Sequence, residues 1–184
     1  MKKFLLVLSV VLIIILGVLT YFRVYYTKSF SPEEEVAFND GNLKISVIYN
    51  RPYKKGRVIF GENDLVPYGK VWRTGANEAT IFETNKELTF GDKTLPAGKY
   101  SLWTIPNESS WTVIFNSEIG QWGVGFNGEA NRKPENDVLS VEAPAVIIEK
   151  EFEQFTINIE KSDDDLELTF IWDKTLAAVP FSAQ

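Results

Sequence analysis

Residues 153–173 read EQFTINIEKSDDDLELTFIWD, two runs of alternating apolar and polar residues on either side of an acidic turn. Phe155, Ile157 and Ile159 alternate with Thr156, Asn158 and Glu160, and Leu166, Leu168, Phe170 and Trp172 alternate with Glu167 and Thr169. A period of two sends successive side chains to opposite faces of a pleated strand, so each run has one face for a core and one for water. The same rhythm occurs earlier, where Leu43, Ile45, Val47 and Tyr49 alternate with Lys44 and Ser46. Between such runs lie RPYKKG, FGDK, LPAGK, PNESS, NGEANRKPEND and KSDDD. Their Gly, Pro, Asn, Asp and Ser supply the dihedral angles and side-chain caps that turns need. The pattern predicts about nine strands, at 43–49, 57–60, 79–84, 87–90, 99–105, 111–116, 138–143, 153–160 and 166–173, with room for a tenth at 175–181. No stretch after the N-terminal segment carries a helical apolar stripe over three turns. The fold class expected is all-β, an antiparallel β-sandwich or jelly roll over residues 42–184, because two sheets must cover each other's apolar faces.

Ahead of this domain, FLLVLSVVLIIILGVLTYF runs from Phe4 to Phe22 without a charge, preceded by Lys2 and Lys3 and followed by Arg23. Nineteen uncharged, mostly apolar residues in a helix rising about 1.5 Å per residue match the ~30 Å hydrocarbon thickness of a bilayer. A cleaved secretory signal has a shorter apolar core and ends on small residues, whereas this run ends on Tyr21, Phe22, Arg23, Val24, Tyr25 and Tyr26, the aromatic composition of a membrane interface. Residues 1–28 are therefore read as one N-terminal transmembrane helix, with a signal sequence as the alternative. The partner implied is a membrane, held through Phe4 to Phe22. Lys2, Lys3 and the amino terminus slightly outweigh Arg23 and Lys28, which places the N-terminus in the cytoplasm. The expected location is thus a single pass through the inner membrane, with the domain on the periplasmic or extracellular side. Residues 29–41, SFSPEEEVAFNDG, combine a proline, three successive glutamates and little periodicity, and read as a stalk.

All 25 acidic residues lie after position 28, whereas four of the 19 Lys and Arg lie at or before it, so the remainder carries a net charge of −10. Such a field repels nucleic acid, which is excluded as a partner. The chain has no cysteine, hence no disulfide or thiol chemistry, and no histidine. The second absence removes Ser-His-Asp and Cys-His catalysis and His-ligated zinc together. No glycine-rich phosphate loop precedes a helix, and no cofactor is expected. Ser162–Glu167 (SDDDLE) concentrates acids without the spaced pattern of a calcium loop, so a solvated turn is expected rather than a metal site. Glu33, Glu34 and Glu35 are read likewise as surface charge. LTFGDKTLPA from Leu88 is loosely echoed by LTFIWDKTLAA from Leu168, as two turns of similar chemistry would be.

Three features remain as candidate sites. Arg51, Lys54, Lys55 and Arg57 place four cations in seven residues, suited either to lipid headgroups or an anionic glycan, or to a solvated hairpin marked by Pro52 and Gly56. Among five tryptophans, Trp103, Trp111 and Trp172 fall in strands, where core packing accounts for them. Trp72 and Trp122 fall in loop-like segments and are the candidates for an exposed ring. Finally, VWRTGANEAT at 71–80 carries Arg73, a planar fork of donors; Gly75, which permits an unusual turn; Asn77; and Glu78, an internal partner for Arg73. This segment is either a hydrogen-bonded structural plug or the floor of a polar ligand site comprising Tyr68, Trp72, Arg73, Asn77, Glu78 and Trp122.

The blocks RPYKKGRVIFGENDLVPYGKVWRTGANEATIF, LPAGKYSLWTIP and WTVIFNSEIGQWG resemble a bacterial family, domain of unknown function 2911 (DUF2911), over roughly residues 43–173. The resemblance implies a secreted or envelope-anchored protein and brings no reaction with it. After Gly123 this chain reads VGFNGEANRKPEND, where similar proteins continue with an aromatic-rich G-x-Y segment. Anchor, strand pattern and missing catalytic residues together lead to the expectation of a noncatalytic binding or scaffolding module in the cell envelope, with a glycan or peptide ligand. Two alternatives stand beside it: a carboxylate-based hydrolase with Glu78 in its site, and a structural envelope protein that docks on another protein.

Overall fold

A computed structural model describes residues 1–162 and 165–183. Helix α1 (Lys2–Tyr21) buries none of its residues against the domain. It continues through one π-helical turn (Phe22–Tyr26) and a last turn α2 (Thr27–Phe30). The whole rod, Lys2–Phe30, is long and apolar enough to cross a membrane, as a membrane anchor or a signal sequence would be. Tyr21, Phe22, Tyr25, Tyr26 and Phe30 form a chain of ring contacts along its end.

Eleven strands follow among the described residues: β1 (Glu33–Asp40), β2 (Leu43–Asn50), β3 (Phe60–Gly61), β4 (Val66–Pro67), β5 (Thr80–Thr84), β6 (Leu88–Phe90), β7 (Lys93–Leu95), β8 (Gly98–Pro106), β9 (Ser110–Asn116), β10 (Asp137–Ser162) and β11 (Asp165–Ala183). Nine of them make one antiparallel sheet in the order β1-β2-β5-β8-β9-β10-β11-β6-β7, and β3 and β4 form a small parallel pair. The all-β antiparallel expectation thus holds.

The large sheet folds over on β10. Its first part, Asp137 to Pro144, pairs with β9, and from Ala145 onward it pairs with β11, with register shifts between Ile147 and Phe152 and between Phe152 and Thr156. Such irregularities bend and twist a strand, which lets one strand serve two layers. Both layers turn their alternating apolar faces into one core, from Ile45, Val47 and Tyr49 on β2 to Phe155 and Ile157 on β10 and Leu168, Phe170 and Trp172 on β11. Rings meet across the layers, Tyr49 with Phe155 at 5.8 Å and Phe90 with Phe115 at 5.3 Å. The Tyr49 hydroxyl accepts a 3.0 Å hydrogen bond from the Ile157 N–H. Both outer edges lie beside β10, through the ion pair of Asp40 with Lys161 at 2.7 Å and the hydrogen bond from Lys93 Nζ to the Ser140 carbonyl at 2.8 Å.

Several boundaries differ from expectation. Residues 29–41 are not a free stalk, because Glu33–Asp40 is a full edge strand paired with β2. Val36 and Phe38 pack against the core, and Gly41 (φ 56°) turns the chain within a two-residue loop. Two apolar residues suffice for an edge strand whose backbone is satisfied by its neighbour. The strand expected at 57–60 shrinks to Phe60 and Gly61. The runs at 138–143 and 153–160 fuse into β10, and those at 166–173 and 175–181 into β11. The echo between Leu88 and Leu168 is not structural, since the first copy is the β6–β7 hairpin and the second lies inside one strand kinked at Asp173 (φ 54°). Asp163 and Asp164 of the acidic turn lie outside the described residues.

Candidate functional site

The end of the sandwich nearest the helix is built by the long excursion between β2 and β5. Its final section, residues 71–79, is pinned from all sides. The Trp72 N–H donates to Thr104 O at 2.7 Å and Thr104 N–H returns a bond to Trp72 O at 3.0 Å, adding a rung to β8. Trp72 Nε1 donates to Gly75 O at 3.0 Å, Ala76 N–H to Asn50 O at 3.1 Å and Thr80 Oγ1 to Thr74 O at 2.6 Å. Thr74 (φ 54°), Gly75 (φ 153°) and Asn77 (φ 59°) adopt left-handed or glycine-type backbone. Gly75 is required sterically as well, because an added Cβ would lie 2.9 Å from the Asn50 carbonyl oxygen. As a backbone, this segment is a plug.

The side chains do not all belong to it. Glu78 is held by Asn50 Nδ2 at 3.2 Å and by Arg23 Nε at 3.3 Å, the latter from the helix, so it is not the partner of Arg73. Arg73 has no ion pair among the described residues; its Nε is buried without an acceptor, and burial lowers its pKa from the ordinary value. A guanidinium stays charged under any such shift. Its stem lies flat on Gly123, where a Cβ would fall 2.0 Å from Arg73 Cδ. The Gly123 N–H donates to Asn77 O at 2.9 Å, and Glu78 bridges Trp122 as an isolated ladder pair, so the 117–133 loop closes over this side of the segment.

Arg73 lies between two adjoining clefts of about 470 Å³ each, which share Leu65, Val66, Trp72 and Arg73. The first also takes in Lys55, Arg57, Tyr53, Asn77 and Trp172. Among the described residues it is lined by three cations and no carboxylate, inside a domain whose net charge is strongly negative. Two of the four clustered cations are spent elsewhere: Arg51 pairs with Glu34, and Lys54 with Glu151 at 2.8 Å and Asp173 at 2.7 Å. The pairing raises the Lys54 pKa, the Asp173 hydrogen bond contributing most. Lys55 instead lies over the rings of Phe30 and Tyr53, at 5.4 and 5.8 Å, and Arg57 donates to the carbonyls of Lys54 and Tyr53. The hairpin therefore divides into two structural cations and two that face the cleft.

Of the residues proposed from sequence, Trp72, Arg73 and Asn77 converge on this cleft. Trp72 is a correction to the exposed-ring expectation: it is buried, stacked on Trp172 at 5.9 Å and 16°, and edge-on to Phe155 at 4.7 Å. An indole that caps an aromatic cluster is covered on most of its surface, and only its rim remains for the cleft floor. Trp122 is half-buried beneath the Arg23 guanidinium, 5.6 Å from the ring centre, and Glu78 lies with it on the helix side. Tyr68 belongs to the turn after β4, outside both cleft linings; burial, then Glu108 and Asp64, raise its pKa. Sequence reasoning missed Asn50, Gly123 and Arg23 as parts of the site. Asn50 ends a strand and Gly123 ends the segment that resembles the family, but nothing local ties either to Arg73.

The chain belongs to a family of proteins of unknown function, DUF2911, whose model matches residues 31–181. No curated protein and no solved structure matches it.

Proposed function

We propose that this DUF2911 member is a noncatalytic binding module held at the membrane by its apolar helix, and that its Arg73 cleft captures an anionic group on a glycan or peptide. The observation that carries the reading is the cleft lining: Lys55, Arg57 and Arg73, with no carboxylate among the described residues. A planar guanidinium with a free edge favours two oxygens of one carboxylate or phosphate, and the rim of Trp72 together with Tyr53 offers an apolar wall beside it. The positive-inside balance of the N-terminus supports an N-terminus in the cytoplasm and a domain facing the periplasm or exterior. The hydrolase alternative is less well supported. Glu78 is engaged by Arg23 and Asn50 on the helix side and does not line the cleft, which among the described residues holds no carboxylate for an acid–base pair.

Titrating the full chain in detergent with a uronic-acid oligosaccharide and with an acidic peptide, following tryptophan fluorescence, tests the reading and tells the two ligand classes apart. Binding of one of them should weaken with salt and fall at least tenfold in the Arg73→Met variant, the loss of about one charge-assisted hydrogen bond. No binding of either, or equal binding by the variant, sinks the proposal.

A further inference from the structure

We infer that the helix-side end of the sandwich rests on the bilayer its own helix enters, with the hairpin around Phe126 dipping into the lipid interface. The inference takes the helix as a retained anchor, and its test separates the two.

The first observation is the junction. Only Ser31 and Pro32 separate the end of α2 from β1. Ser31 is buried, Pro32 O accepts the Arg51 N–H at 2.8 Å, and Lys28 pairs with Glu33. No flexible linker carries the domain away from the membrane surface. The second is the level at which helix and domain touch. Arg23 directly follows the last residue of the apolar run, the place where a cation marks the headgroup layer. From there it reaches Glu78 and the Trp122 ring. Trp122 therefore joins the aromatic belt of Tyr21, Phe22, Tyr25 and Tyr26 on the domain side.

From Trp122 the chain runs straight into an ordered hairpin. Val124 bridges Ala130, the Gly125 N–H donates to Glu129 O at 2.8 Å, and the Gly128 N–H closes the turn on Gly125 O at 3.0 Å. Asn127 Oδ1 accepts the Glu129 N–H, and Gly128 takes φ 81°. This turn holds Phe126 fully exposed at its tip, with none of its own domain to pack on. Four residues reach at most about 14 Å, and the polar layer of a leaflet is roughly 5–8 Å deep, so the tip can reach the acyl boundary from the level of Arg23. Val58 is exposed on the neighbouring hairpin, whose Lys55 touches Phe30 at the helix end. Glu129 beside the tip limits insertion to a shallow depth.

The chain contains no cysteine, so single cysteines report one place each. Phe126→Cys, Leu12→Cys and Asp92→Cys, the last in the β6–β7 turn, would be spin-labelled in the full chain. Each is then reconstituted into phosphatidylcholine–phosphatidylglycerol vesicles, and accessibility to oxygen is compared with that to a water-soluble nickel chelate. Leu12 should give a deep-lipid signature, Asp92 an aqueous one, and Phe126 an oxygen-to-nickel ratio several-fold above Asp92. An aqueous Phe126 label with a lipid-buried Leu12 label overturns the inference and leaves the anchor standing. Aqueous labels at both positions remove the anchor and the inference together.

Discussion

Replacing Arg73 by Met should make the protein more stable while weakening anion capture about tenfold or more. The unbranched Met side chain keeps the packing of the Arg73 stem against Gly123, where an added Cβ would meet Arg73 Cδ at 2.0 Å. What disappears is a charge that, among the described residues, has no carboxylate partner, and a buried Nε–H that has no acceptor there. An unpartnered buried donor costs about 1–3 kcal/mol. The cleft admits water to the rest of the guanidinium, so the lower half of that range applies, a gain of roughly 1 kcal/mol or slightly more. For a domain of this size that is about 2–4 °C in Tm. Urea unfolding of the full chain in detergent, read by tryptophan fluorescence, should show a higher midpoint at an unchanged slope. Phosphate added at constant ionic strength should raise the midpoint of the parent by mass action and leave the variant where it is. A loss of about 3–5 kcal/mol would refute the reasoning, because that is the signature of breaking a buried ion pair.

Gly123→Ala should destabilise by about 1–3 kcal/mol through overpacking, and it should weaken anion binding as well, since the atoms it strikes are those of Arg73. Gly75→Ala should cost a similar 1–3 kcal/mol with its clash falling on the Asn50 carbonyl; the two variants are compared by urea midpoint and by titration with the same anionic probe. Burial raises the Tyr49 pKa, and the hydrogen bonds Lys54 donates to Asp173 and Glu151 raise its own. A raised folded-state pKa gives stability that is fully present below the unfolded value, near 10 for both groups, and lost as pH climbs through the folded one. Unfolding midpoints should therefore drop as the pH rises above about 10, less steeply in Tyr49→Phe than in the parent.

The sequence by itself determined the elements that depend on local pattern. The charge-free run Phe4–Phe22 reads as a helix fit for a bilayer because length and hydropathy alone decide that. Alternation at Leu43–Tyr49, Phe155–Ile159 and Leu166–Trp172 reads as strands because the pleat has a period of two, and these strands meet in one core. The conflict between a plug and a site at 71–80 was legible too, though not its resolution: the backbone is a plug and one side chain is left over. β1 was hidden because an edge strand needs few apolar residues of its own; its neighbour supplies the hydrogen bonds.

Only the tertiary structure decided who partners whom. Glu78 is five residues from Arg73 yet binds Arg23, which is 55 residues away, and Asn50, which is 28 away. Gly123 leaves the space Arg73 fills, and the bend of β10 brings Trp172 beneath Trp72. Sequence spacing fixes distance only along a strand or a helix. Across layers, the electrostatic character of the cleft depends on which acids the fold carries elsewhere, and here it draws Glu34, Glu151 and Asp173 onto Arg51 and Lys54, and Lys55, Arg57 and Arg73 remain at the cleft.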